Sequence, residues 1–387
     1  MSAEKPSQGL VVLSTGGTGG HVFPAEALAA ELAARGHRLA VVTDRRGEAI
    51  AGPLGALDSY QIKAAGISGR GWSARAGAVI QLGLGFFQAR GLLKSMRPDV
   101  VVGFGGYPSV PTMFAASRLR LRTLVHEQNA VLGRANRLLA PRVDRIATSF
   151  ENTSELRSAD APKSTWTGNP VRPDIAALSG RPYPPTTAEG RLNVLVVGGS
   201  QGAAVFGEVI PQTIASLPEP LRARVSVAQQ VRPEQIPTVE QVYAAAGVNA
   251  DIRTFFNDMP DRLAAAHLLV GRAGASTIAE VTAVGRPAIL VPYPHAIDDH
   301  QAANAARLAD ASGAWTYPQE AFTPNALAER FVAVLENPGT LETAARCSAR
   351  IGMPQATSRL ADLVEGLMAG NGARSASRSS TTQEVAA

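Results

Sequence analysis

One cysteine, Cys347, occurs in the whole chain of 387 residues. No disulfide can form within it and no cysteine-based zinc cluster can be assembled, so a reducing compartment suits it. Long apolar runs are missing as well: no stretch approaches the roughly 20 apolar residues that a spanning helix needs. The polar start, Met1 to Gln8, leads directly into a short apolar strand without a signal-peptide core. These absences predict a cytoplasmic protein whose membrane contact is peripheral. Lysine is scarce, at four of 37 basic residues. The formal charge of +5 points weakly to an anionic partner, whether phosphorylated ligand, nucleic acid or acidic lipid, and an arginine-biased composition explains it as well. With 45% apolar and 18% charged residues, the chain reads as globular rather than disordered.

What is present repeats. Gly9-Leu-Val-Val-Leu-Ser-Thr15 is a buried-strand pattern, followed by Gly16-Gly-Thr-Gly-Gly-His21 and a helix-like run from Pro24 to Arg35. Arg191-Leu-Asn-Val-Leu-Val-Val197 leads in the same way into Gly198-Gly-Ser-Gln-Gly-Ala203 and a second helical run. Each half carries another such junction, Asp99-Val-Val-Val102 before Gly103-Phe-Gly-Gly-Tyr107 and His267-Leu-Leu-Val270 before Gly271-Arg-Ala-Gly-Ala275. The pattern predicts an α/β protein with two Rossmann-like, doubly wound parallel sheets, whose glycine turns at the strand carboxyl ends line one cleft.

Prolines 170, 173, 182, 184 and 185 mark a stiff linker. Residues 1–170 are expected to form an N-terminal domain facing acceptor and membrane, and 171–350 a nucleotide-sugar domain. A C-terminal helix over 351–369 is expected to pack back on the first domain. The small, polar segment 370–387 reads as a disordered tail.

A glycine turn between strand and helix exposes unpaired backbone N–H groups at the positive end of the helix dipole, which favours phosphate. It also serves as a tight turn with close strand–helix packing, and one loop alone does not decide between these uses. The dinucleotide pattern G-x-G-x-x-G/A fails at both leading turns, since Val22 stands where it needs glycine or alanine and Ser200 where it needs glycine. Asp44, after the second apolar strand, is the one feature that suits that alternative. No Gly-Lys-Ser/Thr follows any of the turns, which excludes a Walker A loop. At Gly271 to Glu280 the turn enters a helix whose Glu280 can receive a sugar hydroxyl pair while the helix start faces phosphate, with Thr277 as cap or phosphate contact.

Taken together, these segments resemble the MurG family of inverting transferases of GT-B architecture. The resemblance runs from about Gly9 to Met353 on Thr15 to His21, Ile67-Ser-Gly-Arg-Gly71, Gly103 to Tyr107, His126-Glu-Gln-Asn129, Thr167-Gly-Asn-Pro-Val-Arg172, Gly198 to Ala203, Arg272 to Glu280, and Asp299-His-Gln301. It implies transfer of N-acetylglucosamine from UDP-GlcNAc to the muramyl 4-hydroxyl of an undecaprenyl-diphosphate-linked muramyl-peptide (lipid I), forming lipid II in peptidoglycan synthesis. The implied location is the cytoplasmic face of the inner membrane, held peripherally on an anionic surface. Cell-wall synthesis and division proteins are implied partners, and nucleic acid is not.

By that resemblance, the donor contacts are Thr15, Gly16, Gly17, Asn129, Arg172, Ser200, Phe256, Ala275, Ser276, Thr277, Ile278, Ala279, Glu280 and Gln301. Arg172 and Ser200 suit diphosphate oxygens, Glu280 the ribose hydroxyls, Phe256 a main-chain contact to uracil, and Asn129 and Gln301 hydroxyls of the sugar. Where the family often shows paired glutamines, this chain has His300-Gln301. The acceptor is expected at Thr18, Gly19, Gly20, His21, Gly105, Gly106 and Tyr107.

A direct displacement needs a base and leaving-group stabilisation. His21 is the candidate base, since an uncharged imidazole at a helix start can take the proton. Its alternative role is to donate a hydrogen bond to the acceptor phosphate, and Glu127 is the competing base. No Asp-x-Asp stands at a strand end, so no obligatory cofactor or metal is expected. Asp298-Asp299 reads as a cap and surface charge.

Between Arg70 and Arg97 apolar and basic residues interleave. Trp72, Val79, Ile80, Leu82, Phe86 and Phe87, with Arg75, Arg90 and Lys94, are the expected membrane patch; a packed amphipathic helix is the plainer use of the same residues. Other function classes stay open on sequence alone: a UDP-sugar transferase acting on diacylglycerol, a sugar-nucleotide epimerase on a similar scaffold, or a non-catalytic nucleotide-binding regulator.

Overall fold

The computed structural model describes residues 8–16, 19–44, 53–64, 72–187, 189–199 and 202–383, with the side chains of 72–76 and 371–383 left out. The first strand, β1 (Leu10–Ser14), is followed by α1 (Gly19–Ala34), β2 (Arg38–Thr43), β3 (Asp58–Gln61), α2 (Trp72–Met96), β4 (Val100–Gly103), α3 (Gly106–Arg118), β5 (Arg122–Glu127), α4 (Arg134–Leu139), β6 (Arg145–Thr148) and β7 (Ser164–Trp166). These strands form one parallel sheet in the order β3-β2-β1-β4-β5-β6-β7. The order reverses beside β1, and the turns after β1 and β4 flank that switch point, where open α/β sheets bind ligands.

A short helix, α5 (Pro173–Ala176), opens the second unit. It continues through β8 (Leu192–Val197), α6 (Ala204–Ser216), α7 (Glu219–Arg222), β9 (Val225–Gln230), α8 (Ile236–Ala245), β10 (Asn249–Arg253), α9 (Met259–Ala265), β11 (Leu268–Gly271), α10 (Ala275–Val284), β12 (Ala288–Leu290), α11 (His300–Asp310), β13 (Ala314–Thr316), α12 (Pro324–Glu336) and α13 (Gly339–Ile351). Its sheet is again parallel, in the order β10-β9-β8-β11-β12-β13. The chain ends in α14 (Ala356–Gln383).

The two compact units are Met1–Arg172 with Gln355–Ala387, and Pro173–Pro354. Side-chain alternation explains the layers of the first: Val11 and Leu13 pack with Leu28 and Leu32 of α1 and Leu360 and Val364 of α14. Val12, pointing the other way, packs with Leu93 of α2, Met113 of α3 and Leu139 of α4. A parallel sheet covered on both faces requires such continuously apolar strands. In the second unit Val194 and Val196 pack against Phe206, Ile210, Tyr243 and Phe331, and Leu195 between them is equally buried.

Two expectations change here. Helix α1 begins at Gly19, five residues before Pro24, which brings His21 into its first turn; Pro24 removes a single backbone donor and the helix tolerates it near its start. Helix α14 runs on to Gln383, past the boundary at 369 expected for the C-terminal helix. No proline follows Pro354 to stop a helix already nucleated on the core. That helix is latched by Arg35, whose Nη1 lies 2.6 Å from Asp362 Oδ1 and 2.7 Å from Glu365 Oε2. No helix among the described residues is long and apolar enough to cross a membrane.

Candidate functional site

In the first unit the Gly105–Gly106 turn after β4 lies against the ring of His21, which stands in the first turn of α1. A Cβ built on Gly105 would stand 3.6 Å from His21 Cε1, and one on Gly106 would stand 3.4 Å from Cδ2 and 3.5 Å from Nε2. Both glycines have positive φ, 81° and 70°, where a side chain is strained. Glycine here lets the start of α3 lie against the imidazole. Gly105 caps α3 without a side-chain hydrogen bond, so the first-turn N–H groups of that helix keep their anion-binding capacity. Thr15 is fully buried and its Oγ1 donates to His21 O at 3.0 Å, tying the β1 turn to the first turn of α1.

The ring is held from behind. His21 Nδ1 lies 3.0 Å from Gln128 Oε1. Gln128 Nε2 donates to Phe104 O at 3.0 Å and to His126 O at 3.1 Å, and lies 3.0 Å from His126 Nδ1. His126 Nε2 in turn lies 3.2 Å from Gly168 O. Burial, reinforced by the charge of His21 and opposed by the Gly168 bond, pushes the His126 imidazole down to about 4, so it is neutral at physiological pH.

Glu127 is differently placed. Its Oε1 accepts from Asn129 N and Asn129 Nδ2 at 3.0 and 3.2 Å, and its Oε2 accepts from Gly133 N and Asn136 Nδ2, both at 2.8 Å. With 2% exposure, this carboxylate folds the 127–136 loop around itself. Asn129 is thereby fixed, and Asn136 also donates to His126 O.

Arg172 lies with its guanidinium 5.7 Å from the Phe23 ring centre. Beside it, burial raises the Glu26 carboxyl above its ordinary range, with Arg172 pulling it back. Asn169 is 6% exposed, and among the described residues neither end of its amide has a hydrogen-bond partner, a state that native interiors rarely leave uncompensated.

In the second unit α10 starts behind Gly274 with no side-chain cap, so the N–H groups of its first turn are open to an anion. Ser276 Oγ is buried and has no hydrogen-bond partner among the described residues, and Glu280 follows one turn later on the same side. Ala275 and Ile278 are buried, and Ile278 N donates to Gly274 O, so neither offers a side chain. Asn304 Nδ2 donates to Ala273 O at 3.1 Å, fixing the turn. Arg272 is spent on Val291 O, Pro292 O and Gln319 Oε1. Gln301 Oε1 accepts from Tyr293 N at 2.9 Å. Phe256 is 2% exposed, and its ring centre lies 3.9 Å from the Arg262 guanidinium.

Gly17, Thr18 and Ser200, and the Ile67–Gly71 motif, lie outside the described residues, as do the side chains of Trp72 and Arg75. Sequence reasoning missed the roles of Gln128, His126, Asn136, Asn169 and Glu26. Gln128 and His126 stand inside a quoted motif, but their partners Phe104 and Gly168 are distant in sequence, and only the fold joins them.

Two Rossmann-like units, each with uncapped helix starts at the carboxyl ends of its parallel strands, define a glycosyltransferase of GT-B fold. The chain matches the glycosyltransferase family 28 N-terminal domain over 11–148 and the C-terminal domain over 193–364. It is 52% identical to the UDP-N-acetylglucosamine–N-acetylmuramyl-(pentapeptide) pyrophosphoryl-undecaprenol N-acetylglucosamine transferase of Paramagnetospirillum magneticum, over 95% of this chain and 98% of that one. It is 53% identical to the transferase of the same name from Rhodospirillum rubrum, over 92% and 91%. The crystal structure of Acinetobacter baumannii MurG superposes with a TM-score of 0.74 at 30% identity, covering 92% of this chain and 99% of that one. The chain belongs to the MurG family of glycosyltransferase family 28.

Proposed function

We infer that this chain transfers N-acetylglucosamine from UDP-GlcNAc to the muramyl 4-hydroxyl of lipid I, with inversion, and so makes lipid II for peptidoglycan. The observation that carries the reading is the close approach of the Gly105–Gly106 turn to His21, in a chain half identical along nearly its full length to transferases named for that reaction. His21 Nε2 takes the proton of the 4-hydroxyl as its oxygen attacks the anomeric carbon. The bond from that carbon to the diphosphate breaks, and UDP leaves with the electron pair.

The starts of α1 and α3, with Gly19, Gly20, Gly105, Gly106 and Tyr107, suit the acceptor diphosphate, and Thr18 is carried with them by resemblance. On the donor side, the N–H groups opening α10, with Ser276 and Thr277, suit phosphate and Glu280 the ribose. Thr15, Gly16, Gly17, Asn129, Arg172, Ser200, Ala279 and Gln301 are carried as further donor contacts. Asn169 joins them as a buried amide that a polar ligand group would satisfy. The four donors on Glu127 support a loop-organising role for it and leave His21 as the base.

UDP release from UDP-GlcNAc should depend on a muramyl-peptide lipid and yield a new disaccharide. Consumption of UDP-GlcNAc without acceptor would overturn the transferase in favour of an epimerase, and normal turnover of His21→Gln at saturating donor would overturn the base.

The membrane contact is proposed for one face of α2. Val79, Ile80, Leu84 and Phe87 are 61%, 63%, 45% and 70% exposed, and Ile80, Leu84, Phe87 and the exposed Lys94 recur at helical spacing. Phe86 is turned inward, edge to face with Phe114 at 5.9 Å, and Leu82 is half-buried. The apolar stripe with Lys94 and the half-buried Arg90 suits an anionic bilayer surface.

A further inference from the structure

We propose that Gln128 and His126 are positioning residues that hold His21 as its Nδ1–H tautomer, so that Nε2 is the nitrogen presented to the substrate. The inference rests on His21 being the base, and specifies how the fold makes it one.

The argument starts from the amide. Gln128 Nε2 faces two backbone carbonyls, Phe104 O at 3.0 Å and His126 O at 3.1 Å. Only an N–H group can sit there, because an amide oxygen in that place would meet two oxygens. The amide oxygen must then face His21 Nδ1, 3.0 Å away. An oxygen accepts, so His21 Nδ1 donates and carries the hydrogen. In a neutral imidazole the other nitrogen then holds the lone pair.

The same orientation is enforced from the far end. Of the two Nε2 hydrogens, one faces Phe104 O and the other is shared between His126 O and His126 Nδ1 at 3.1 and 3.0 Å, so His126 Nδ1 accepts and its Nε2–H donates to Gly168 O at 3.2 Å. Each donor in this chain meets an acceptor: Gly168 O, His126, Gln128, His21. Burial holds His126 uncharged, with its imidazole at about 4, so Nδ1 keeps the lone pair that the relay needs. Gln128 and His126 are 1% and 0% exposed, which keeps water from offering the amide a competing arrangement. His21 Nε2 has no hydrogen-bond partner among the described residues; it lies against the Gly106 turn at the open start of α3. The relay therefore leaves a basic nitrogen where acceptor phosphate and hydroxyl are proposed to bind. Thr167-Gly168 is also the turn that leads to Arg172, so the motif carrying a donor contact anchors the base as well.

The test is the ring 15N spectrum of the full chain labelled at histidine, recorded without substrate at alkaline pH. The chain has six histidines, and the His21→Gln and His126→Gln spectra assign the two that matter. The expected result is a protonated Nδ1 and bare Nε2 for His21, and the reverse for His126. In Gln128→Leu, His21 should shift toward the Nε2–H form. Turnover should fall about tenfold to a hundredfold, part of the 10²–10⁴ that a positioned base supplies, while KM for UDP-GlcNAc stays within about twofold of wild type. If Gln128→Leu does not fold, the wild-type spectrum alone decides. A proton on His21 Nε2 in the wild type, or an unchanged tautomer in folded Gln128→Leu, overturns the relay. The expected tautomer together with normal turnover of His21→Gln upholds the relay and overturns the base assignment on which its catalytic meaning rests.

Discussion

Asn136 Nδ2 donates to Glu127 Oε2 at 2.8 Å, one of four donors that converge on this carboxylate. Glu127→Gln would turn an amide N–H₂ toward at least one of them, leaving buried donors face to face. Each unsatisfied buried donor costs about 1–3 kcal/mol, so chemical denaturation should show a loss of about that size. Activity should fall with the loop's order and recover partly at low temperature. Unchanged stability with abolished turnover would instead return Glu127 to the role of base.

His126 predicts how stability responds to acid. Its folded value, about 4, lies below its ordinary 6.5, so the unfolded chain binds this proton first. The sign follows: the contribution is fully present above pH 6.5 and is lost progressively as pH falls toward 4. One pK unit is about 1.4 kcal/mol, so the loss from this group approaches about 3 kcal/mol. The difference in unfolding free energy between wild type and His126→Gln, measured from pH 7 to 4, should narrow on acidification. A constant difference across that window would mean that His126 is protonated equally in both states.

Arg35 binds Glu31, Asp362 and Glu365 between 2.6 and 2.8 Å, and His37 Nε2 lies 2.9 Å from Glu365 Oε1. These contacts join α1, which carries His21, to α14. The pairs are partly exposed and partly screened, so Arg35→Ala should cost about 1 kcal/mol globally. Its local effect should be larger, with amide exchange in α14 around Leu360 to Leu367 accelerating relative to the β-sheet. Equal acceleration throughout the unit would show that the latch has no local character.

The repeated strand–glycine–helix units were legible because buried parallel strands are apolar at every position and the turns after them are rich in glycine. His21 was legible as a candidate because it follows such a turn. Its orientation was not, since that depends on Gln128, 107 positions away. For Glu127, base and loop organiser could not be told apart until Gly133 and Asn136 were seen closing on it. The start of α1 was obscured by Pro24, which reads as a first-turn residue, and the length of α14 by a composition poor in apolar groups. In α2 apolar residues occur on every side, so periodicity could not separate Phe86, which packs on Phe114, from Phe87, which faces out.

That separation sharpens the membrane test. Phe86→Ser would damage packing and confuse loss of binding with loss of fold. Ile80→Ser with Phe87→Ser removes apolar surface that touches little of the protein, so thermal stability should stay within about 0.5 kcal/mol per site, as at other surface positions. Fully burying a side chain of this kind is worth about 1.5–3 kcal/mol; with the partial insertion proposed for the stripe, binding to anionic vesicles should weaken about tenfold or more in sedimentation. Lys94→Glu should act through charge, at about 1 kcal/mol per cation near the surface, and its effect should shrink as salt is raised. Water-soluble acceptor analogues should be used at wild-type rates by the double variant and by Lys94→Glu if α2 serves the bilayer alone. Equal vesicle binding by wild type and the double variant would remove this face from the membrane contact.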